Sequence, residues 1–273
     1  MKLLQLSDLH VNDTCKGAFT PGDNLNAVIE KTRLETYHAI IITGDLLNDG
    51  KEHEYTALLD MLDRSYNGTP IVVTPGNHDD RATLQRAYTN YLAKRRSRFS
   101  DSGIIHDGSF EVPGQANTVL YIPDNKAVTM VLDSGHKQFP FEGLLRARFN
   151  INQKYKTSYK PFCVMFTHMP VFPVFHRFMN DPFRTMQLDR MTVQSIVETV
   201  PTVDLICCGH YHCHSSELWE RGSQRPVQQI VAPAIQMQID PFAKDFLAGG
   251  KYPGYMEIRC DDMITAKESY CLD

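Results

Sequence analysis

The stretch AIIITGD, residues 39–45, joins a continuous apolar run to a Gly-Asp pair. An unbroken β-branched run is typical of a parallel strand that is covered on both faces of its sheet. The stretch IVVTPGNHD, residues 71–79, has the same form, because its apolar part is followed by the polar segment Gly76-Asn77-His78-Asp79. Each stretch therefore predicts a buried strand with polar side chains at its carboxyl end.

Short apolar runs that end at a polar motif recur along the chain, and each predicts a strand. The predicted strands are Lys2–Leu6, Ala39–Thr43, Ile71–Thr74, Phe162–Thr167, Leu205–Cys208 and Gln229–Val231. Between the first three, Leu25–Thr36 and Glu52–Asp63 carry apolar residues at the three-to-four spacing of an amphipathic helix. Alternating strands and helices at this pitch predict βαβ units with right-handed crossovers, and therefore an α/β fold.

Two further pairs of apolar runs predict β-hairpins. Val119–Ile122 and Val128–Leu132 flank the turn-forming stretch Pro123-Asp124-Asn125-Lys126, and Tyr255–Arg259 is followed by Ile264–Glu268. We expect these hairpins to extend the sheets at their outer edges.

The remaining segments are expected to be additions to a single domain. Residues 80–104 and 141–157 have helical, exposed patterns. We therefore predict one domain over residues 1–273, with small substrate-facing insertions near 80–104 and 135–190.

Composition narrows the class of protein. The chain has 273 residues, of which 42% are hydrophobic, and its net charge is −4. This is enough for one large domain with a buried core, and the charge argues weakly against nucleic acid as a partner. The basic stretch Lys94-Arg95-Arg96-Ser97-Arg98 is expected to be a solvated helix face rather than a nucleic-acid site.

Cysteine use and hydropathy predict the compartment. Among the seven cysteines, Cys163, Cys207 and Cys208 lie in apolar runs, which predicts buried free thiols rather than a disulfide framework. The N-terminus lacks the apolar stretch of ~7–15 residues found in a signal peptide. No run approaches the ~20 apolar residues of a transmembrane helix. The sequence therefore predicts a cytoplasmic protein with no membrane partner.

Five polar segments at the predicted strand ends carry side chains that bind metals. They read Asp8-Leu9-His10, Gly44-Asp45, Gly76-Asn77-His78-Asp79, Thr167-His168 and Gly209-His210-Tyr211-His212. Residues two apart on an extended chain point to the same side, so Asp8 and His10 can reach one metal. Open α/β sheets bind ligands at the carboxyl ends of their strands, where all five segments lie. We therefore expect two divalent metals, an arrangement that cleaves phosphate esters.

Each motif is weak when it is taken alone. A single histidine more often has a structural role, and Gly-Asn-His-Asp is a plausible turn. Five such segments in order would, without a metal, cluster His and Asp side chains without partners, which is a costly arrangement. A metal-stabilised scaffold and an inactive metal site stay open as alternatives, although no element that turnover requires is missing.

The order of these motifs resembles that of the calcineurin-like metallophosphoesterases. Over nearly the full length, the chain is most similar to the class III cyclic-nucleotide phosphodiesterases and their glycerophosphodiesterase relatives. The resemblance includes Thr43–Gly50, Leu132-Asp133-Ser134 and Pro253-Gly254-Tyr255, and it is poor over residues 135–160. It implies a four-layer αββα sandwich of two mixed β-sheets flanked by helices. It also implies two divalent metal ions, for which Mn, Fe, Zn and Co are all used in the family.

The resemblance further implies how the ligands are shared between the two metals. Asp8, His10, Asp45 and His212 would hold the first ion, and Asp45, Asn77, His168 and His210 would hold the second. Because the amide of Asn77 is neutral, the two ions keep a net positive field for a phosphate.

The motifs predict a mechanism without a protein nucleophile. Two ions bridged by Asp45 would lower the pKa of a shared water, which then attacks phosphorus in line. His78 directly follows a ligand, so we expect it to stabilise charge or to act as general acid for the leaving alkoxide. A structural capping role for His78 is the alternative. Asp79 is expected to orient His78.

The leading hypothesis is hydrolysis of 3′,5′-cyclic nucleotides such as cAMP to 5′-monophosphates. Open alternatives are other small phosphoesters, including glycerophosphodiesters and 2′,3′-cyclic nucleotides, and a DNA nuclease, which the negative charge disfavours. The aromatic segment 170–190, with Phe172, Phe175, Phe178 and Phe183, is either a packed loop or a platform for a nucleobase. The expected partners are a small phosphodiester and, as an open alternative, a second copy of the chain.

Overall fold

The computed structural model describes residues 1–12, 21–101, 105–106, 118–121, 127–134, 161–172, 174, 203–221, 224–236, 238 and 252–271. These residues form strands and helices in the order β1 (Lys2–Leu6), α1 (Pro21–Thr32), β2 (Ala39–Thr43), α2 (Glu52–Ser65), β3 (Ile71–Thr74), α3 (Arg81–Asp101), β4 (Ile105–His106), β5 (Thr118–Tyr121), β6 (Ala127–Val131), β7 (Phe162–Phe166), β8 (Leu205–Cys208), β9 (Ser215–Arg221), β10 (Gln224–Val231), β11 (Gly254–Cys260) and β12 (Ile264–Tyr270).

The strands form two mixed sheets. The five-stranded sheet has the order β12-β11-β1-β2-β3, in which β1, β2 and β3 are parallel and β11 and β12 are antiparallel additions. The seven-stranded sheet has the order β4-β5-β6-β7-β8-β10-β9, with β6, β7, β8 and β10 parallel. Its strands β4, β5 and β9 pair antiparallel at the two edges. The predicted α/β fold with two mixed sheets is therefore confirmed.

The two sheets lie face to face and share one core. Gln5 of β1 donates from Nε2 to the carbonyl of Cys208 in β8 at 3.1 Å, and to Thr43 Oγ1 at 3.0 Å. A single apolar cluster around this contact contains residues of both sheets, such as Ile41 and Phe166. Because each fully buried aliphatic or aromatic side chain contributes roughly 1.5–3 kcal/mol, this interface is a large part of the folding free energy.

Helices α1 to α3 pack against the five-stranded sheet. In α2, the buried residues include Leu58 and Leu62, at the spacing that the sequence pattern predicts. In α3, the hydroxyl of Tyr88 donates to the carbonyl of Ile71 in β3 at 3.0 Å. This contact joins the helix directly to the strand that precedes it in the chain.

Most predicted elements are present, with shifts at their ends. Strands β1, β2, β3 and β8 have the predicted bounds, whereas β10 begins at Gln224 rather than Gln229. Helix α1 covers Pro21–Thr32 rather than Leu25–Thr36. The earlier start is physically reasonable, because proline is favoured in the first turn of a helix, where its missing N–H costs nothing. Both hairpins form antiparallel pairs near sheet edges, as predicted.

Helix α3 corrects the prediction of an exposed segment over residues 80–104. The segment is helical, but Leu84, Tyr88 and Tyr91 are buried in the main core. Arg95, from the basic stretch, binds Asp60 and Asp63 of α2 at 2.9 Å. The first part of this helix is therefore a core element. The predicted helix over 141–157 lies outside the described residues.

The three cysteines in apolar strands agree with the expectation from the sequence. Cys163, Cys207 and Cys208 are buried and free, as predicted. Burial raises the pKa of each of these thiols, which keeps them protonated and unreactive. Within the described ranges, no helix is both long enough and apolar enough to cross a membrane.

Buried Gln229 of β10 fastens the chain that follows β7. Its Oε1 accepts the N–H groups of Val171 and Phe172 at 2.8 Å, and its Nε2 donates to the carbonyl of Phe172 at 3.0 Å. We predict that Gln229→Leu lowers the free energy of unfolding by about 2–4 kcal/mol, because buried backbone groups lose their partners. Urea denaturation at a fixed metal concentration measures this change.

The neighbouring Gln228 is a matched control for that prediction. It is the same residue type on the same strand, but its side chain is exposed and reaches Ser216 Oγ at 2.9 Å. We expect Gln228→Leu to change the stability by less than about 0.5 kcal/mol. Equal effects of the two substitutions would contradict the assignment of Gln229 as an anchor.

Candidate metal centre

The predicted ligand residues meet at one edge of the sandwich. Asp8 and His10 follow β1, Asp45 follows β2, Asn77 follows β3, His168 follows β7, and His210 and His212 follow β8. Backbone hydrogen bonds join the loops, as in His10 N to Asp45 O at 2.9 Å and Gly209 N to His168 O at 2.9 Å. The carboxyl ends of parallel strands from both sheets therefore lie close together at this edge.

Sharp turns aim the ligands at this place. Several non-glycine residues of the centre adopt positive φ angles, namely Asp8 at 52°, His10 at 42°, Asp45 at 50°, His210 at 74° and His212 at 52°. Such conformations cost on the order of 1–3 kcal/mol each and persist where the surrounding structure imposes them. Their concentration in these loops indicates a functional centre, where a lower folding stability is tolerated because the side chains must be placed in a particular geometry.

The first group of ligand atoms comes from Asp8, His10, Asp45 and His212, which lie within 4.8 Å of one another. His10 Nε2 is 3.6 Å from Asp45 Oδ2 and 3.3 Å from His212 Nε2. His212 Nε2 is in turn 3.5 Å from Asp8 Oδ1. Two carboxylates and two imidazoles at these separations can enclose a divalent ion of the Zn, Mn or Fe type.

The second group comes from Asp45, His168 and His210, with Asn77 beside them. His168 Nε2 is 3.4 Å from Asp45 Oδ2 and 3.0 Å from the amide oxygen of Asn77. The rings of His168 and His210 meet edge to face at a centroid distance of 5.1 Å. Asp45 belongs to both groups, so its carboxylate can bridge two ions.

The outer nitrogens of two predicted ligand histidines show which tautomer each one adopts. Nδ1 lies 2.9 Å from Thr43 O in His168 and 3.0 Å from Gln236 O in His212. A carbonyl only accepts, so Nδ1 carries the proton and the Nε2 lone pair points into the centre. The donor set of the centre therefore fits a metal ion.

His10 is oriented through a pair of asparagines. Its Nδ1 lies 2.8 Å from Asn48 Oδ1. Asn48 is held in turn by Asn12, whose side chain accepts from Asn48 N at 2.7 Å and donates to Asn48 O at 3.0 Å. Sequence reasoning did not assign a role to Asn12, Asn48 or Gln236. Asn48 at least lies within a recognised motif, whereas Gln236 follows β10 and carries no motif signal.

The electrostatics of the centre favour an ionised bridge. Burial would raise the pKa of Asp45, but His168 and His10 outweigh burial and hold that pKa at about 2. Burial, together with the nearby His168, lowers the pKa of His210 to about 4. An ionised Asp45 and a neutral His210 are the protonation states in which these two groups bind a metal ion.

Glycines allow the loops to approach the ligands closely. A Cβ atom at Gly209 would overlap Ser7 Oγ, which donates to Asp8 Oδ2 at 2.6 Å. A Cβ atom at Gly76 would overlap the Asp45 carboxylate. These two motif glycines are therefore needed for space, in addition to any need of the turn itself.

Asp79 does not orient His78, contrary to the prediction. It is buried, and its carboxylate accepts the N–H groups of Leu46 at 3.3 Å, Leu47 at 3.1 Å and Gly76 at 2.9 Å. The hydroxyl of Tyr55 donates to it at 3.0 Å. The alternation of the chain turns Asp79 inward while His78 faces outward, so Asp79 joins the loops after β2 and β3.

His78 lies at the open side of the centre. Its N–H donates to Asp45 Oδ1 at 2.8 Å, and its carbonyl accepts from Asp49 N at 2.9 Å. Its imidazole is exposed and meets the ring of His10 edge to face, with a centroid distance of 5.1 Å. The backbone of His78 is thus fixed to the bridging carboxylate, while its side chain is accessible to a bound molecule.

The aromatic segment after His168 is packed where it is described. Phe172 is only 1% exposed, and its ring stacks on Trp219 at 4.5 Å. Phe172 is therefore not available to stack on a nucleobase. The other aromatic residues of the proposed platform, Phe175, Phe178 and Phe183, lie outside the described residues.

Two mixed sheets with paired carboxylate and imidazole groups at their carboxyl edge define a metal-dependent phosphoester hydrolase. The model of the calcineurin-like phosphoesterase family matches residues 1–214, so the chain belongs to that family. This confirms the resemblance, the fold class and the assignment as an enzyme.

Similar proteins include two phosphodiesterases. A "Probable cyclic nucleotide phosphodiesterase" of Coxiella burnetii is 26% identical over 259 residues, which cover 93% of this chain and 91% of that protein. A "Probable glycerophosphodiester phosphodiesterase" of Arcobacter nitrofigilis is 24% identical over 246 residues, with 88% and 81% covered. The crystal structure of a dimetal phosphatase from Danio rerio has a similar fold, with a TM-score of 0.56 at 12% identity and 100% and 96% coverage.

Proposed function

We propose that this chain is a dimetal phosphodiesterase that hydrolyses 3′,5′-cyclic nucleotides such as cAMP to 5′-monophosphates. The observation that carries the proposal is the bridging position of Asp45 between two groups of ligand atoms, with His78 beside them. The Coxiella burnetii relative, which is similar over nearly the whole chain, supports the choice of substrate.

In this proposal, Asp8, His10, Asp45 and His212 hold the first ion, and Asp45, Asn77, His168 and His210 hold the second. When bound, two divalent ions supply an activated water at neutral pH and positive charge for the phosphate oxygens. The two ligand carboxylates contribute −2 against the +4 of two divalent ions, so the centre keeps about +2 for an anionic diester.

The chain itself contributes orientation and proton transfer. The carbonyls of Thr43 and Gln236 hold two imidazoles in the tautomer that ligation requires. His78 presents its imidazole at the open side, where it acts as general acid for the leaving alkoxide. No side chain of the protein is needed as the nucleophile in this proposal, because the activated water takes that role.

A glycerophosphodiester is the second candidate substrate, favoured by the similarity to the Arcobacter nitrofigilis protein. The same metal centre and His78 would catalyse its hydrolysis, because the two reactions differ only in the alcohol that leaves. Phe172 is buried, so it does not provide a stacking surface for a nucleobase.

Asp45→Asn tests the two-metal centre. We expect wild-type protein, purified without chelator and reconstituted, to bind two ions, and the variant to bind fewer. The kcat should fall by more than about 100-fold. Mutation of a residue that only hydrogen-bonds to a metal ligand already lowers metal affinity or activity by about 10- to 100-fold. Elemental analysis and turnover with Mn²⁺ measure the two effects. Asp49→Asn is the control, since the Asp49 side chain is exposed and its N–H is retained. A stoichiometry that never exceeds one, with Asp45→Asn fully active, contradicts the model.

His78→Ala separates chemistry from metal binding. The variant should keep both ions and lose roughly 10²–10⁴ in kcat, the contribution expected from a general acid. His53→Ala is the control, because His53 is an exposed histidine on α2. Loss of metal, with normal kcat once the ions are restored, would show that His78 has no part in the chemistry.

A substrate panel with Mn²⁺ tests the choice of substrate. It compares 3′,5′- and 2′,3′-cyclic nucleotides, glycerophosphodiesters, bis-p-nitrophenyl phosphate and single-stranded DNA. We expect the highest kcat/KM for a 3′,5′-cyclic nucleotide, with weak salt dependence because few phosphate contacts are made. A preference for glycerophosphodiesters would select the second candidate. Efficient DNA cleavage without turnover of any cyclic nucleotide would favour a nuclease.

A further inference from the structure

The segment Leu132–Ser134, directly after β6, contacts both sides of the centre. The carbonyl of Leu132 accepts from Thr74 Oγ1 at 3.0 Å, at the end of β3. The hydroxyl of Ser134 accepts from the N–H of Met169 at 3.2 Å, the residue after His168. This segment therefore connects the loop that carries Asn77 to the loop that carries His168.

Between those two contacts, Asp133 binds Arg81 at the start of α3. The guanidinium donates from Nη2 to Asp133 Oδ1 at 3.2 Å and from Nε to Oδ2 at 3.3 Å. The Asp133 side chain is fully buried, and that of Arg81 is only 12% exposed. A two-point contact between a planar guanidinium and a carboxylate fixes direction as well as distance. The ammonium group of a lysine, a single charge on a flexible side chain, would not fix the direction of the contact.

The Arg81–Asp133 pair anchors one end of the loop that contains His78, the proposed acid. The chain leaves β3 at Thr74, passes through His78, and enters α3 at Arg81. Thr74 and Arg81 are both held by the segment Leu132–Ser134, so the loop is fastened at each end to the same support. His78 lies between these two anchors, and its own N–H and carbonyl are held by Asp45 and Asp49.

We propose that Arg81 is a positioning residue for His78. Its pairing with Asp133 sets where the His78 imidazole stands relative to the leaving oxygen. The inference rests on the proposed role of His78 as general acid. A misplacement of about 1 Å in such a group costs on the order of 100-fold in rate, without the loss of any metal ligand.

Two variants remove the pair in different ways. Arg81→Lys keeps the charge but loses the two-point geometry. The double variant Arg81→Met with Asp133→Leu removes both charges, so neither charge of the pair is left buried without the other. Arg95→Lys is the matched control, because Arg95 lies on the same helix and binds buried Asp63 and Asp60 at 2.9 Å. Each change is made alone and in the His78→Ala background.

The readout is kcat and KM on two substrates, with bound metal measured in each variant. With an alkoxide leaving group, from the preferred diester, we expect kcat to fall about 10- to 100-fold with KM little changed and two ions bound. With bis-p-nitrophenyl phosphate, whose leaving group needs little help from an acid, the loss should be less than about 3-fold. In the His78→Ala background, removal of the pair should cause no further loss, and Arg95→Lys should leave kcat unchanged.

The outcomes that overturn the inference are distinct. Equal losses on both substrates, loss of metal, or a full additional loss in the His78→Ala background would show that the pair acts only on the fold. Normal kcat in both pair variants, while His78→Ala is impaired, overturns the role of Arg81 alone. A fully active His78→Ala variant overturns the acid and, with it, the inference.

Discussion

The buried carboxylate of Asp45 is the group on which the rest of the centre depends. Its Oδ1 accepts the N–H of His78, and its Oδ2 lies 3.6 Å from His10 Nε2 and 3.4 Å from His168 Nε2. An anion removed so completely from water is stable only among donors or positive charge. The imidazoles around this carboxylate follow strands of both sheets, so the site built on Asp45 joins the two halves of the sandwich.

The surrounding loops carry the strain of that arrangement. Asp45 and both members of the Asp8/His10 pair adopt positive φ angles, which cost free energy in the folded state. Hydrogen bonds within the loops offset this cost. Asp79 is the main example, since three N–H groups and the Tyr55 hydroxyl converge on it. Burial raises the pKa of Asp79 to about 6, with the negative charge of Asp45 adding to the rise, so each carboxylate is tuned by its neighbours.

Sequence reasoning located the strands and the ligands because both leave local signals. The continuous β-branched runs at β2 and β3 and the polar motifs after them depend only on neighbours in the chain. It predicted the helix α3 but not its buried face, which contains Leu84 and Tyr88, because the polar residues between them obscure the apolar stripe. It also failed for Asp79, and it left open whether Phe172 is packed or exposed to a nucleobase. In both cases the partners of the side chain, such as Leu47 and Trp219, are distant in sequence.

The sequence by itself therefore determined the α/β class, the two βαβ units and the identity of the residues at the strand ends. These follow from alternation, apolar runs and residue type, which act over a few positions. Only the tertiary structure decided that Asn48 and Gln236 orient His10 and His212, and that Asp133 holds Arg81. The reason is physical, because a hydrogen bond or ion pair at about 3 Å depends on how separate loops pack, and no local pattern encodes that distance.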